Sequence, residues 1–142
     1  MFRDDPITAV EHERWFAGAL IDREEVVHRV FTHAGTPSGL FSLSGIDRRN
    51  HGCVWGGYLA PDAPRGSGLG VELMTVSLVM SFDELDLHRV VVEAIESNTR
   101  AIGLYEKIGF RREGFLRDRA RQSHGFVNVV LLGLLRDEWR RA

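Results

Sequence analysis

A glycine- and proline-rich segment in the middle of the chain separates a strand-like run from a helix-like run and limits the folds open to it. Residues 61–70 read PDAPRGSGLG, and residues 52–59 before them carry the apolar and aromatic side chains of a strand. Beyond the segment, apolar residues recur at the spacing of one helix face: Leu69, Leu73, Val76 and Met80. The sequence therefore predicts a strand, a glycine loop and an amphipathic helix that ends near Glu84.

Further periodic runs place this unit within a larger pattern. The T-x-x-E spacing of Thr8 and Glu11 predicts a helix over residues 9–20. Strands are predicted over residues 26–32, 40–46, 52–59, 89–95, 110–121 and 126–135, and a short helix between an Asn98 N-cap and a Gly109 C′ residue. An antiparallel front half followed by β-α-β-α-β-β favours a mixed, mostly antiparallel α/β sheet flanked by helices over a doubly wound parallel sheet.

The third predicted strand carries two unusual features. Gly56 and Gly57 interrupt it, which indicates a β-bulge or a close approach by another chain or a ligand. Cys53 is the only cysteine, so an internal disulfide and a multi-cysteine metal site are excluded, and a buried inert thiol is favoured over a nucleophile. The histidine spacings do not indicate a metal site either.

Length and charge bound the class of protein. A chain of 142 residues, 44% hydrophobic, predicts one domain over residues 1–142. Its net charge of −2 supplies no field to recruit nucleic acid or anionic lipid, so an anionic ligand must be held locally. The apolar stretch 129–135 is far shorter than the roughly 20 residues of a membrane span, and the acidic start does not resemble a secretory signal. We expect a cytoplasmic protein that binds neither nucleic acid nor membrane.

The glycine loop itself suggests a chemistry. Residues 65–70, RGSGLG, precede a helix whose first N–H groups and positive dipole end can bind phosphate, while the glycines let a ligand approach the backbone. The loop lacks the Lys-Ser/Thr pair of a P-loop and the G-x-G-x-x-G spacing of a dinucleotide site. A plain structural turn is the alternative.

Two motifs in order carry a family resemblance. Arg65-x-x-Gly68-x-Gly70, followed by Asn98-x-x-Ala101-x-x-Leu104-Tyr105-x-x-x-Gly109-Phe110, resembles the GCN5-related N-acetyltransferase (GNAT) superfamily, in the branch with ribosomal-protein N-terminal acetyltransferases. The likeness extends from about Leu40 onward. It implies acetyl-CoA as co-substrate, with the pyrophosphate at the loop, the pantetheine arm along the strand that ends at Leu59, and Asn98 contacting the cofactor. The cofactor-binding residues that it implies are Leu59, Arg65, Gly66, Gly68, Leu69, Gly70 and Asn98.

Acetyl transfer to an amine needs an acid for the departing thiolate and a base for the ammonium proton. Tyr105 is the candidate acid, because a phenol with a pKa of about 10 stays protonated at neutral pH. Packing of its ring on the buried helix face is the alternative role. Glu93 is the candidate base, because it interrupts an apolar strand, and pairing with an arginine is its alternative role. Glu96 is the reserve candidate, on the opposite face by alternation.

A softer likeness concerns the acceptor. Residues 11–16, 46–50, 55–59, 82–88, 114–118 and 129–135 resemble acetyltransferases of the pseudaminic acid pathway, which acetylate the 4-amino group of a UDP-linked amino sugar. Phe126 and Asn128 depart from that branch, where Tyr and Asp are expected. A nucleotide-linked amino sugar is therefore the expected acceptor. The alternatives are a protein N-terminus, a polyamine, or a non-catalytic acyl-CoA-binding module.

The resemblance also bears on assembly. Family members have a further strand and much of a helix ahead of the point that matches Met1. If that strand is absent, residues 26–32 form an unprotected sheet edge that invites a second copy of the chain. A homodimer is one expectation from the sequence.

Overall fold

A computed structural model describes residues 25–64, 66 and 68–141, and shows a mixed sheet with helices. The strands are β1 (Val27–His33), β2 (Thr36–Asp47), β3 (Gly52–Leu59), β4 (Arg89–Ile95), β5 (Arg111–Gln122) and β6 (Gly125–Leu135). The helices are α1 (Leu69–Val79), α2 (Thr99–Ile108) and α3 (Arg136–Arg141), with a π-helical turn at Met80–Glu84. The sheet order is β1-β2-β3-β4-β6-β5. The predicted α/β class is confirmed.

The parallel junction between β3 and β4 is short. The strands pair only at Gly52 with Arg89, Cys53 with Val90 and Val54 with Val91, whereas the other neighbouring strands of the described sheet pair antiparallel. Beyond these positions β3 continues to Leu59 and β4 to Ile95 without pairing to each other. The two strands therefore part, and an opening forms in the centre of the sheet.

The core lies on the face of the sheet that packs against α1 and α2. Along β4, every second residue is buried, and Val90, Val92 and Ala94 join one cluster with Leu78 of α1 and Ile102 of α2. Burying one such aliphatic side chain contributes roughly 1.5–3 kcal/mol. This packing holds both helices against the opening between β3 and β4.

The first described helix differs from its prediction at its end. The amphipathic stripe predicts one helix to Glu84, but regular α-helix ends at Val79 and the N–H of Leu85 bonds to the carbonyl of Met80, 2.9 Å away, in a wider turn. Ser81 is fully buried and its hydroxyl donates to the Ser77 carbonyl at 2.8 Å. Serine hydroxyls that bond back to the preceding turn compete with the regular ladder and bend helices.

The predicted bulge at the paired glycines is wrong. Gly56 and Gly57 stand in unbroken register opposite Ser42 and Phe41, and the register of this pair shifts instead after Ser44. At Gly57 the structure shows a close approach from the neighbouring strand β2 of the same chain. A Cβ at Gly57 would lie 2.8 Å from the carbonyl oxygen of Leu40.

The structure bears differently on the predictions for the two ends of the chain. The helix predicted over residues 9–20 lies outside the described residues, and β1 forms one edge of the described sheet. Helix α3 was not predicted. The N–H of Leu135 donates to Glu138 Oε2 at 3.0 Å, and the ring of Trp139 packs on Phe82 with centroids 5.4 Å apart. A tertiary contact thus supports a helix too short to be stable alone.

Candidate active site

The glycine loop leads into helix α1, whose first backbone N–H groups have no hydrogen-bond partner within the helix. Gly66 and Gly68 have positive φ values of 73° and 83°, and Gly68 is the N-cap residue of α1. The N–H of Glu72 bonds to the Gly68 carbonyl at 3.1 Å, so the first-turn N–H groups before it have no partner in the helix. Among the residues that the structure describes, a Cβ at Gly66 or Gly68 would meet nothing within 4 Å. The loop therefore needs glycine for its backbone conformation rather than for lack of space.

Two loop residues anchor the start of α1. The side chain of Leu69 is buried in the core, whereas a Cβ on Gly70 would come within 3.3 Å of Leu104 Cδ2 on α2. Gly70 thus lets the two helices approach each other beside the loop. Arg65 lies outside the described residues.

The edge of β3 that faces β4 is unpaired with β4 from Trp55 to Leu59. On its other side this stretch pairs with β2, where Leu59 is opposite Gly39. An exposed row of backbone N–H and C=O groups can bond to an extended ligand in the manner of an added strand. This row borders the opening in the sheet, and the chain continues from its end at Leu59 toward the glycine loop.

Asn98 caps helix α2. Its Oδ1 accepts a hydrogen bond from the N–H of Ala101 at 3.2 Å, and Gly109, with φ 125°, ends the helix. Both predicted capping roles are confirmed. The cap holds Asn98 at the start of α2, after β4.

Tyr105 is packed on the core side of the sheet. It is 9% exposed, and its ring lies between Trp55 of β3 and Phe110, with centroid distances of 6.0 Å and 5.8 Å. Burial raises the pKa of the Tyr105 phenol, so it stays protonated at neutral pH. The packing role is therefore present, and it leaves a neutral hydroxyl that can act as a donor.

Glu93 lies on the other side of the sheet. It alternates with buried Val92 and Ala94 on β4, and its Oε2 is 3.6 Å from Nη2 of Arg119 on β5. The pairing with an arginine is confirmed. The structure therefore does not place Glu93 and Tyr105 on one face of the sheet.

Glu96 is engaged elsewhere. Its Oε2 accepts from Asn128 Nδ2 at 3.1 Å, and Asn128 Oδ1 in turn accepts from the N–H of Asp118 at 3.0 Å. Asn128 thus joins the end of β4 to an irregular stretch of β5, where the pairing register jumps between Leu116 and Ala120. This irregularity lies in the same stretch of β5 as Arg119, which pairs with Glu93.

Several residues of the site were missed by sequence reasoning. The sequence pattern marks Trp55 only as a strand residue within the stretch 55–59 that resembles the amino-sugar branch, and it singles out neither Ser77 nor the pairing of Arg119 with Glu93. The alternation of Arg117, Arg119 and Arg121 was a usable signal, whereas the contact between Trp55 and Ser77 depends on tertiary structure.

Other reactive groups contribute nothing further. Cys53 is buried, as predicted, and burial raises the pKa of its thiol to about 11, which disfavours the reactive thiolate. Within the described ranges, no three histidine, cysteine or acidic side chains form a metal-binding group. In that same part of the chain, no helix is long and apolar enough to cross a membrane.

A splayed mixed sheet with a glycine turn at a helix start and an unpaired strand edge defines an acyltransferase-type architecture. The protein-family model described as "Acetyltransferase (GNAT) domain" matches residues 1–111, and the chain belongs to this family. The predicted superfamily is confirmed. GNAT domains use acetyl-CoA as the acetyl donor.

Individual proteins agree with this assignment. The chain is 30% identical over 105 residues to a Bacillus subtilis protein named "Putative ribosomal N-acetyltransferase YdaF", covering 74% of this chain and 57% of that protein. A spermidine N-acetyltransferase SpeG variant from Vibrio cholerae superimposes with a TM-score of 0.83 at 25% identity, covering 95% of this chain and 80% of the other. A spermidine N-acetyltransferase from Vibrio cholerae in complex with CoA and spermine has a TM-score of 0.85 at 24% identity, covering 98% of this chain and 82% of the other, and shows the same fold. The chain spans little more than half the length of YdaF.

Proposed function

We propose that the chain transfers the acetyl group of acetyl-CoA to the amine of a small molecule. The observation that carries the proposal is the parting of β3 and β4, together with the start of α1, whose first amides have no partner within the helix. An anionic diphosphate fits such a helix start, and an extended amide-bearing arm fits an unpaired strand edge. Acetyl-CoA has both parts.

The donor site follows from the loop. The amides around Arg65, Gly66, Gly68, Leu69 and Gly70 would bind the pyrophosphate. The β3 edge near Leu59 would bond to the pantetheine arm, and Asn98 would contact the cofactor at the start of α2. These assignments rest on the loop dihedrals, the unpaired strand edge and the family resemblance.

The reaction needs one proton delivered and one removed. The amine nitrogen attacks the thioester carbonyl, the C–N bond forms, and the C–S bond breaks to leave the thiolate of CoA. Tyr105 would donate its hydroxyl proton to that sulfur, since burial disfavours the thiolate as well as the phenolate. Glu93 would accept the ammonium proton through a water from the opposite side of the sheet, once Arg119 has moved away from it.

The arginines of β5, one of which pairs with Glu93, favour an anionic acceptor. The described part of β5 presents exposed arginines at alternate positions, Arg117, Arg119 and Arg121, and Arg119 reaches Glu93. Arginine binds phosphate oxygens in bidentate geometry, whereas a polyamine would be repelled. We therefore favour a nucleotide-linked amino sugar over a polyamine. Its diphosphate would attract Arg119 and release the Glu93 carboxylate.

A thiol-release assay tests the function. Purified protein with acetyl-CoA is given a UDP-linked 4-amino sugar, spermidine or a peptide with a free N-terminus, and free CoA is measured. We expect turnover with the amino sugar. Turnover only with spermidine or peptide would overturn the acceptor assignment, and acetyl-CoA binding without transfer to any amine would indicate a binding module.

Assembly is a second part of the proposal. β1 is an edge of the described sheet, and Val30 on it is half-exposed. Pairing of β1 from two copies would give the homodimer expected from the sequence. Sedimentation equilibrium of the wild type and of Val30→Lys distinguishes a dimer through this edge, which the lysine should weaken.

A further inference from the structure

Trp55 occupies a defined position at the opening of the sheet. It is the first residue of β3 beyond the paired segment that ends at Val54, and it is almost fully buried. Its Nε1–H donates to Ser77 Oγ of α1 at 2.7 Å, and the Ser77 hydroxyl donates onward to the Met74 carbonyl at 2.7 Å. A buried hydrogen bond of this kind restricts the indole ring to one orientation.

The indole ring also contacts the candidate acid. Trp55 and Tyr105 meet edge to face, with an interplanar angle of 74° and centroids 6.0 Å apart. Phe110 supports Tyr105 at 5.8 Å. The Tyr105 phenol is therefore held between two rings, of which only Trp55 stands on the strand that borders the opening.

Space for the indole comes from the strand itself. A Cβ at Gly57 would lie 2.9 Å from Trp55 Cζ2, closer than real Cβ contacts allow. The missing side chain at Gly57 therefore accommodates the indole as well as the Leu40 carbonyl. Contacts within the chain therefore explain why a glycine stands at position 57.

We propose that Trp55 is a positioning residue that acts through Tyr105: Ser77 fixes the indole, and the indole in turn fixes the Tyr105 ring for its reaction with the thioester. The inference rests on the proposed acetyl transfer for its kinetic consequence. The structural part of the proposal is that the hydrogen bond between Trp55 and Ser77 orders Tyr105, and this part does not depend on any activity.

Two single variants break the bond from either side. Trp55→Phe removes the donor and Ser77→Ala removes the acceptor. We expect kcat to fall about tenfold in each, with the Kd for acetyl-CoA changed less than about twofold, because displacing a proton donor slows chemistry without removing binding contacts. In a Tyr105→Phe background neither change should reduce kcat further. Additive losses in that background would overturn the proposal.

Matched controls separate positioning from general destabilisation. Ser81→Ala deletes another fully buried hydroxyl that bonds to a helix carbonyl, and Trp139→Phe trims a tryptophan that packs on Phe82. Both controls should leave kcat within about twofold of wild type. Equal losses in the controls and the test variants would show a merely structural role.

A spectroscopic readout needs no turnover. The chain has two tyrosines, so 3-fluorotyrosine labelling gives two fluorine resonances, one from buried Tyr105 and one from exposed Tyr58. We expect Trp55→Phe and Ser77→Ala to shift or broaden the Tyr105 signal, while Ser81→Ala and Trp139→Phe do not. An unchanged Tyr105 signal would overturn the positioning role. If the Tyr105 signal shifts in these variants but the protein transfers no acetyl group, the positioning role of Trp55 stands and only the proposed acetyl transfer is refuted.

Discussion

At the residue scale, Tyr105 shows how burial and chemistry combine. Its ring packs in the core, and the same burial raises the pKa of its phenol. The sequence presented packing and catalysis as alternatives, but in the structure one residue can serve both purposes. A rigidly packed phenol loses little further side-chain entropy when it donates a proton.

Tyr105→Phe tests the catalytic role directly. We expect kcat to fall about 100-fold, a size typical of a lost general acid, with acetyl-CoA affinity nearly unchanged because the ring remains. Steady-state kinetics and calorimetric titration measure the two quantities. If the variant kept the kcat of the wild type, Tyr105 would have no catalytic role.

Alanine substitutions at Gly57 and Gly103 give a second test at the residue scale. They should change the free energy of unfolding in opposite directions. Gly57→Ala should lower the free energy of unfolding by about 2 kcal/mol, because the new methyl meets the Leu40 carbonyl and the Trp55 ring. Gly103→Ala, inside α2 with open space around it, should raise that free energy by about 0.8 kcal/mol. Urea unfolding of both variants measures these changes. Equal effects would contradict the packing described for Gly57.

At the element scale, the start of α1 carries a charge that opposes the proposed ligand. Glu72 stands in its first turn, and its Oε2 pairs with His33 Nδ1 at the end of β1, 3.0 Å away. The carboxylate suits the helix dipole of the free protein. A diphosphate bound at the same amides would be repelled by it.

Glu72→Gln should therefore tighten acetyl-CoA binding about threefold, an effect expected of one exposed charge removed near an anion. Glu106→Gln on α2, beside Arg112, is the matched control and should leave affinity unchanged. Titration at low salt gives the largest difference. Weaker binding by Glu72→Gln would show that the diphosphate lies elsewhere.

At the scale of the whole molecule, one ion pair links three strands. Arg89 of β4 donates to Glu113 of β5 at 2.8 Å across Gly133 of β6, where a side chain would collide with the carboxylate. The hydrogen bond from Arg89 lowers the pKa of Glu113 below its usual value. The pair therefore stabilises the sheet at pH values above the pKa of the unfolded side chain, about 4.3.

This contribution is lost as the pH falls through the lowered pKa of folded Glu113, when the carboxylate takes up a proton. We expect the advantage of the wild type over Glu113→Gln in free energy of unfolding to be largest above about pH 5 and to shrink toward pH 3. Denaturant unfolding across that range measures it. A difference that does not depend on pH would contradict the ion pair.

By itself, the amino-acid sequence determined the elements from β1 to β6, the Asn98 cap and the glycine loop, because periodicity, capping and turn chemistry are local properties. The GNAT resemblance, now shown by the family match, also came from the order of two local motifs. Tertiary structure alone decided what Gly57 accommodates, where α1 gives way to a π-helical turn, that α3 forms, and that Trp55 joins Ser77 to Tyr105. These features depend on contacts between residues distant in the chain, whose free energies no local pattern records.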